Sequence, residues 1–216
     1  MSKPIIGIVG GSGTGKSTSL RNLDPKTTII LDLERKGLPF KNTAFTIKDC
    51  DTLAALDREL KAAMDNKEIK VIVIESITKY FEMLLSQAQM MFKGFDVWSH
   101  YNRSIGNVLN RVKNDSAVIV FTAIDEIVKI PTPEGTEQAR RSVAVKGKEW
   151  EGKVEKEFLV VFFTSVKKTK DGGMEYQFMT NTDGVCSAKS PMDMYAQQYI
   201  PNDLAAAIQQ METYYK

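Results

Sequence analysis

The sequence predicts an α/β fold of three layers, with a mainly parallel twisted sheet between helices and a β-hairpin near the C-terminus. Three observations carry this reading. Ile5–Val9, Thr28–Leu33, Val71–Ile74, Ala117–Thr122 and Phe158–Thr164 are apolar, β-branched runs, as strands buried on both faces require. Apolar residues between them recur at helical spacing. The first run also leads straight into Gly10-Gly11-Ser12-Gly13-Thr14-Gly15-Lys16-Ser17, a complete G-x-x-x-x-G-K-[ST] sequence at a strand-to-helix turn.

Taken in order, Ile5–Val9 is the first strand, Gly10–Ser17 the loop, and Thr18 starts the helix that follows. Thr28–Leu33 is the second strand. Leu53, Leu56, Leu60 and Met64 mark one helix, Ile77 to Ala88 another, and Trp98, Tyr101, Ile105, Val108, Leu109 and Val112 a third. These stripes are core faces. Right-handed crossovers gather the loop and the strand ends at the carboxyl edge of the sheet. Residues 126–147 break the rhythm with Pro131, Pro133 and Gly135, which predicts a projecting loop or hairpin. Lys167–Gly173 is a turn into a strand at Glu175–Thr180, and a closing helix with Leu204, Ile208 and Met211 starts near Asn202 or Asp203.

At 216 residues and 43% hydrophobic content, a single domain is expected across 1–216. With no basic, apolar leader and no long apolar run, the expected location is cytoplasmic, away from membranes. Cys50 and Cys186 lack metal-ligand spacing and His100 is the only histidine, which argues against zinc or a thiol–imidazole pair. The net charge is +2, but residues 129–170 hold ten Lys/Arg against six Asp/Glu, so the basic excess is confined there.

The glycines of the loop let successive backbone N–H groups turn toward phosphate oxygens, so Gly10, Gly11, Ser12, Gly13, Thr14, Gly15, Lys16, Ser17 and Thr18 form a candidate nucleotide cradle. As in other loops of this pattern, Lys16 is placed to reach the β- and γ-phosphates and Ser17 to meet Mg²⁺, with the helix dipole adding attraction. Hydrolysis also needs acids. Glu75, ending Val71-Ile72-Val73-Ile74-Glu75-Ser76, is the candidate Mg²⁺ carboxylate, although a glutamate stands where aspartate is usual. Glu34, closing Leu31-Asp32-Leu33-Glu34, is the candidate catalytic base, and Asp32 a supporting hydrogen-bond acceptor.

These segments occur in an order that resembles the RecA-type ATPase core. The resemblance implies ATP and Mg²⁺ as cofactors, Glu34 as the catalytic glutamate, and Glu75-Ser76 as the equivalent of the Walker B pair. Phe162 to Lys167 resembles the strand after the family's second DNA-binding loop. That loop then falls at 126–147, with Arg140, Arg141, Lys146 and Lys148 as phosphate contacts. Ala188-Lys189-Ser190-Pro191 and Ile200-Pro201-Asn202-Asp203-Leu204 look most like the small phage-encoded members, including single-strand annealing proteins. This implies single-stranded DNA as ligand, a homo-oligomer, a single-strand DNA-binding protein as a further partner, and the cytoplasm of a bacterial host. Lys189 is the positional match to a basic residue that completes a neighbouring subunit's site, or else a solvated lysine in a turn. Three departures stand out: Glu75 itself; Ile124 at the polar sensor position, leaving Asp125 or Glu126 to substitute; and nine residues before the loop, too few for the linking element of recombinases.

Two other readings remain open. In a nucleoside or nucleotide kinase, 126–147 would be a lid and Arg140-Arg141 a phosphate clamp. A nucleotide-gated assembly or adaptor protein would bind ATP with little hydrolysis. A GTPase is disfavoured because Thr122-Ala123-Ile124-Asp125 lacks the Asn-Lys pair that reads guanine.

Overall fold

The computed structural model describes residues 4–41, 44–113 and 115–216. Its strands are β1 (Ile5–Val9), β2 (Thr28–Asp32), β3 (Thr46–Asp49), β4 (Val71–Glu75), β5 (Val118–Ala123), β6 (Asp125–Pro131), β7 (Glu137–Val143), β8 (Val160–Lys168), β9 (Met174–Met179) and β10 (Tyr199–Pro201). The α-helices are α1 (Leu53–Asp65), α2 (Ile77–Met91), α3 (Phe95–Val112) and α4 (Leu204–Tyr214). One sheet runs β10-β9-β8-β1-β5-β4-β2-β3, parallel from β8 to β3, with β9 and β10 added antiparallel.

Each central strand is apolar throughout because both faces are covered. Ile5, Val9, Ile29, Leu31, Ile72, Ile74, Ile119 and Phe121 pack under α1, α2 and α3. Their neighbours Ile6, Ile8, Ile30, Val71, Val73, Val118 and Val120 face Leu20, Leu23 and α4 on the other side. This alternation is the two-residue period of a strand, read against two covering layers. Helix starts are fixed by caps: Thr52, Ser76 and Asp203 side chains accept N–H groups of Ala55, Lys79 and Ala206. Among the described residues no helix is long and apolar enough to cross a membrane.

The differences from the expected elements have local causes. The segment after the phosphate loop is a six-residue 3-10 helix, Ser17–Asn22, not an α-helix, and Ser17 rather than Thr18 begins it. Its Ser-Thr-Ser start has weak helix propensity, and Pro25 lies close beyond its end. β8 begins at Val160, because Phe158 instead closes a second 3-10 helix (Val154–Glu157) and stacks on Phe121, ring centroids 5.6 Å apart. Residues 126–147 hold the hairpin β6–β7, paired antiparallel and closed by Thr132 N–H donating to Thr136 O at 2.8 Å.

Phe162 is fully buried, stacked on Phe178 (centroids 4.8 Å apart) and edge-on to Tyr195. Phe162→Ala is expected to cost about 3–5 kcal/mol in urea unfolding, because the strand cannot collapse into the cavity.

Candidate functional site

The phosphate loop is held by close approach rather than by its short helix. Gly10 N–H donates to Ala123 O at 3.1 Å, and a Cβ on Gly10 would lie 1.9 Å from Thr164 Oγ1. Thr164 Oγ1 is also 2.5 Å from Thr14 Oγ1 and donates to Val9 O at 3.3 Å. Gly15 has φ +98°, and its Cβ would meet Tyr176 Cδ1 at 2.9 Å and the Asn202 amide at 3.3 Å. Only glycine fits there. Lys16 Nζ donates to Gly10 O at 2.8 Å and Gly11 O at 2.7 Å, wrapping the loop around its ammonium. Burial pushes the Lys16 pKa down against the opposing pull of Glu75, Asp125 and Glu34. With only six residues in the following helix, anion attraction here belongs to the loop N–H groups and Lys16, not to a sizeable macrodipole.

The acids converge as the sheet order dictates. Asp32 and Glu75 are register partners across β2 and β4, and the Glu75–Ser76 peptide is cis. Ser17 Oγ donates to Glu75 Oε1 at 2.7 Å, joining the loop to the end of β4. Burial raises the Glu75 pKa, and the Ser17 hydrogen bond only partly offsets this. Glu75 Oε2 is shielded from solvent without a hydrogen bond, while the Thr122 hydroxyl lies beside it outside bonding geometry. A hydroxyl and a carboxylate with one oxygen to spare are the hard donors that suit Mg²⁺. No group of three or more His/Cys/Asp/Glu able to hold a metal occurs among the described residues, so a cation here would need phosphate oxygens and water to complete its shell.

Glu34 faces the same cleft, of about 320 Å³, together with Ser12, Gly13, Gly15, Lys16, Ser17 and Thr18. Its Oε1 accepts from Ser76 Oγ at 3.1 Å and its Oε2 pairs with Lys36 Nζ. Burial pushes the Glu34 pKa up, but Lys36 and the Ser76 hydroxyl outweigh it and hold the carboxyl below its usual range. Asp32 is the supporting acceptor: Oδ1 takes the N–H of Glu34 (2.9 Å) and of Arg35 (2.8 Å), Oδ2 that of Gly37 (3.1 Å).

The basic residues separate. Arg141 is not a free phosphate contact: its Nε donates to Asp125 Oδ2 at 2.8 Å, and its guanidinium lies 5.3 Å from the Phe163 ring centroid. Arg140, its neighbour on β7, points to the opposite face of the hairpin and is half-exposed, while Lys146 and Lys148 are exposed. Asp125 rather than Glu126 stands beside the phosphate loop; a Cβ on Gly11 would come 4.0 Å from its Oδ1, whereas Glu126 accepts Val145 N–H at 2.9 Å. Ile124 lines the cleft with its apolar side chain. Lys189 is half-buried, not a solvated turn residue: it bridges Val161 through both backbone groups and does not line this cleft. Sequence reasoning missed Lys36, Thr164, Tyr176 and Asn202. Only Lys36 carried a legible signal, as a lysine before a glycine just past a strand-end acid.

Residues 2–192 match the AAA domain family, and the chain belongs to that family. The fold is similar to that of a KaiC-like protein from the hyperthermophilic archaeon Pyrococcus horikoshii, with a TM-score of 0.54 over 93% of this chain and 85% of that one at 13% identity. The fold is therefore RecA-like. No curated protein matches the chain in sequence.

A carboxyl held below its ordinary 4.5 stabilises the fold above that value and loses the contribution as pH falls through its folded value. Urea unfolding of wild type and Glu34→Gln is therefore expected to show a stability gap at neutral pH that narrows on acidification below about pH 4.5.

Proposed function

We propose that this AAA-domain protein hydrolyses ATP with Mg²⁺ and couples turnover to single-stranded DNA, as a homo-oligomer, in annealing or strand exchange of the phage recombination type. The observation that carries the ATPase reading is the 2.7 Å Ser17–Glu75 hydrogen bond, which sets the hydroxyl and carboxylate for a cation at the mouth of a cleft that Glu34 also faces. Mg²⁺, when bound by Ser17 and Glu75, neutralises charge on the phosphate oxygens. Loop N–H groups and Lys16 hold the β- and γ-phosphates. Glu34, ionised at neutral pH, orients water and takes its proton. The water oxygen bonds to the γ-phosphorus as the bond to the β,γ-bridging oxygen breaks, and its electron pair leaves on ADP.

Support for the DNA half lies on the hairpin and the segment after it. Arg140, Lys146 and Lys148 supply charge, and Trp98, 39% exposed, packs on Gly147 between the two lysines. An aromatic ring beside cations is the platform a single strand uses. Arg141, held by Asp125, links the hairpin base to the phosphate loop. The same ion pair removes one arm of the clamp a kinase would need. A single-strand DNA-binding protein, in a bacterial cytoplasm, is the further partner this reading implies. A nucleotide-gated assembly protein with little turnover is the second reading, favoured by the raised pKa of Glu75.

Phosphate release from ATP, measured with and without single-stranded DNA and with a panel of nucleoside monophosphates, separates the readings. Stimulation by DNA supports the proposal; phosphorylated monophosphate or binding without turnover replaces it. Glu34→Gln is expected to keep nucleotide affinity and lose about 10²–10⁴-fold in turnover. Replacing Arg140, Lys146 and Lys148 together by alanine should weaken DNA binding and flatten the log–log salt slope by about 2, read by anisotropy titration at several salt concentrations.

A further inference from the structure

The loop after β2 brings a second lysine to the cleft. Asp32 accepts three backbone N–H groups of this loop, and Arg35 (φ 55°) and Gly37 (φ 67°) adopt left-handed conformations on either side of Lys36. The backbone is thereby fixed while the Lys36 side chain, 76% exposed, extends over the cleft to pair with Glu34 Oε2. Lys36 also lies close enough to Lys16, Glu75 and Asp32 to interact with each electrostatically.

Charge balance makes this lysine matter. A triphosphate entering the cleft meets the carboxylates of Glu34, Glu75 and Asp32, and among the described residues lining it the cations are Lys16 and Lys36. Other nearby bases are engaged elsewhere: Arg35 with Asp49 and Asp51, Arg141 with Asp125. An exposed lysine–carboxylate pair contributes only about 0–1 kcal/mol, so giving it up for a polyanion costs little.

Resting on the ATPase reading above, we propose that Lys36 is a catalytic residue acting within its own subunit. Its ammonium transfers its hydrogen bonds from Glu34 to a γ-phosphate oxygen, stabilises the charge that develops there, and frees Glu34 Oε2 to receive the proton of the attacking water. Lys36 keeps its own protons throughout. The exchange ties release of the base to arrival of a third phosphate, so ADP, which lacks that phosphate, leaves Glu34 paired.

The test compares wild type, Lys36→Ala and Lys36→Arg. The readouts are ATP turnover, affinity for ADP, and affinity for the β,γ-imido analogue of ATP. In Lys36→Ala, kcat is expected to fall about 10²–10³-fold, ADP affinity to stay within about twofold, and the preference for the analogue over ADP to shrink, with Lys36→Arg restoring much of each. The acid limb of the Lys36→Ala profile of kcat/KM, which reports the nucleotide-free enzyme in which Lys36 pairs with Glu34, should also move to higher pH, while that of kcat stays in place. Turnover equal to or faster than wild type in Lys36→Ala would overturn the proposal and make Lys36 a bystander or a restraint on Glu34. If the wild type binds ATP without turnover, the analogue-to-ADP ratio decides, and an unchanged ratio overturns the proposal. A wild type that binds neither nucleotide overturns the ATPase reading itself.

Discussion

Glu75 places a carboxylate at the end of a strand whose preceding residues are all closed off from solvent, and burial of that group is expensive unless a donor meets it. The donor is the Ser17 hydroxyl, since the hydroxyl of Ser76, next in sequence, is turned to Glu34 instead. The phosphate loop must therefore stand over the end of β4, although β5 lies between β1 and β4. Thr122 on β5 fills the intervening position with a small polar side chain. One oxygen of Glu75 is satisfied and the other is not, a partial compensation that makes the position costly in itself and receptive to a cation.

Much of the architecture was legible because the central strands have no exposed face. Ile5–Val9 coincides with β1, the next three parallel runs differ from the observed strands by one residue at one end or both, and Phe158–Thr164 is offset from β8, which starts two residues later and runs four further. β3 was not legible: all four of its residues are exposed at the sheet edge, so it lacks an apolar period. The short helix after the loop was misread because a G-K-S-T sequence raises an expectation that its own weak helix formers do not sustain. That Glu34, Glu75 and the loop would meet at one cleft could be read, because strand-end acids and glycine spacing leave marks in sequence. The engagement of Arg141 was not legible for the opposite reason. Its partner Asp125 sits across a hairpin, and pairing across strands leaves no local mark.

The hairpin and the phosphate loop form one connected arrangement. β5 ends where β6 begins, Ala123 O accepts the Gly10 N–H, and Asp125 stands between the loop and Arg141. Arg141 also rests against Phe163 of β8, next to Thr164, which touches the loop from the other side. The loop is thus braced from two sides, by the hairpin base through Asp125 and by β8 through Thr164.

The contact between Gly10 and Thr164 reaches beyond chemistry into the range of sequences this fold tolerates. Any side chain at position 10 collides with the hydroxyl at 164, and that hydroxyl in turn engages Thr14 and Val9. The two positions are 154 residues apart in the chain yet share one small volume. A side chain at 10 would need smaller residues at both 164 and 14, whose Oγ1 a Cβ at 10 would approach to 2.9 Å, so the three positions constrain one another.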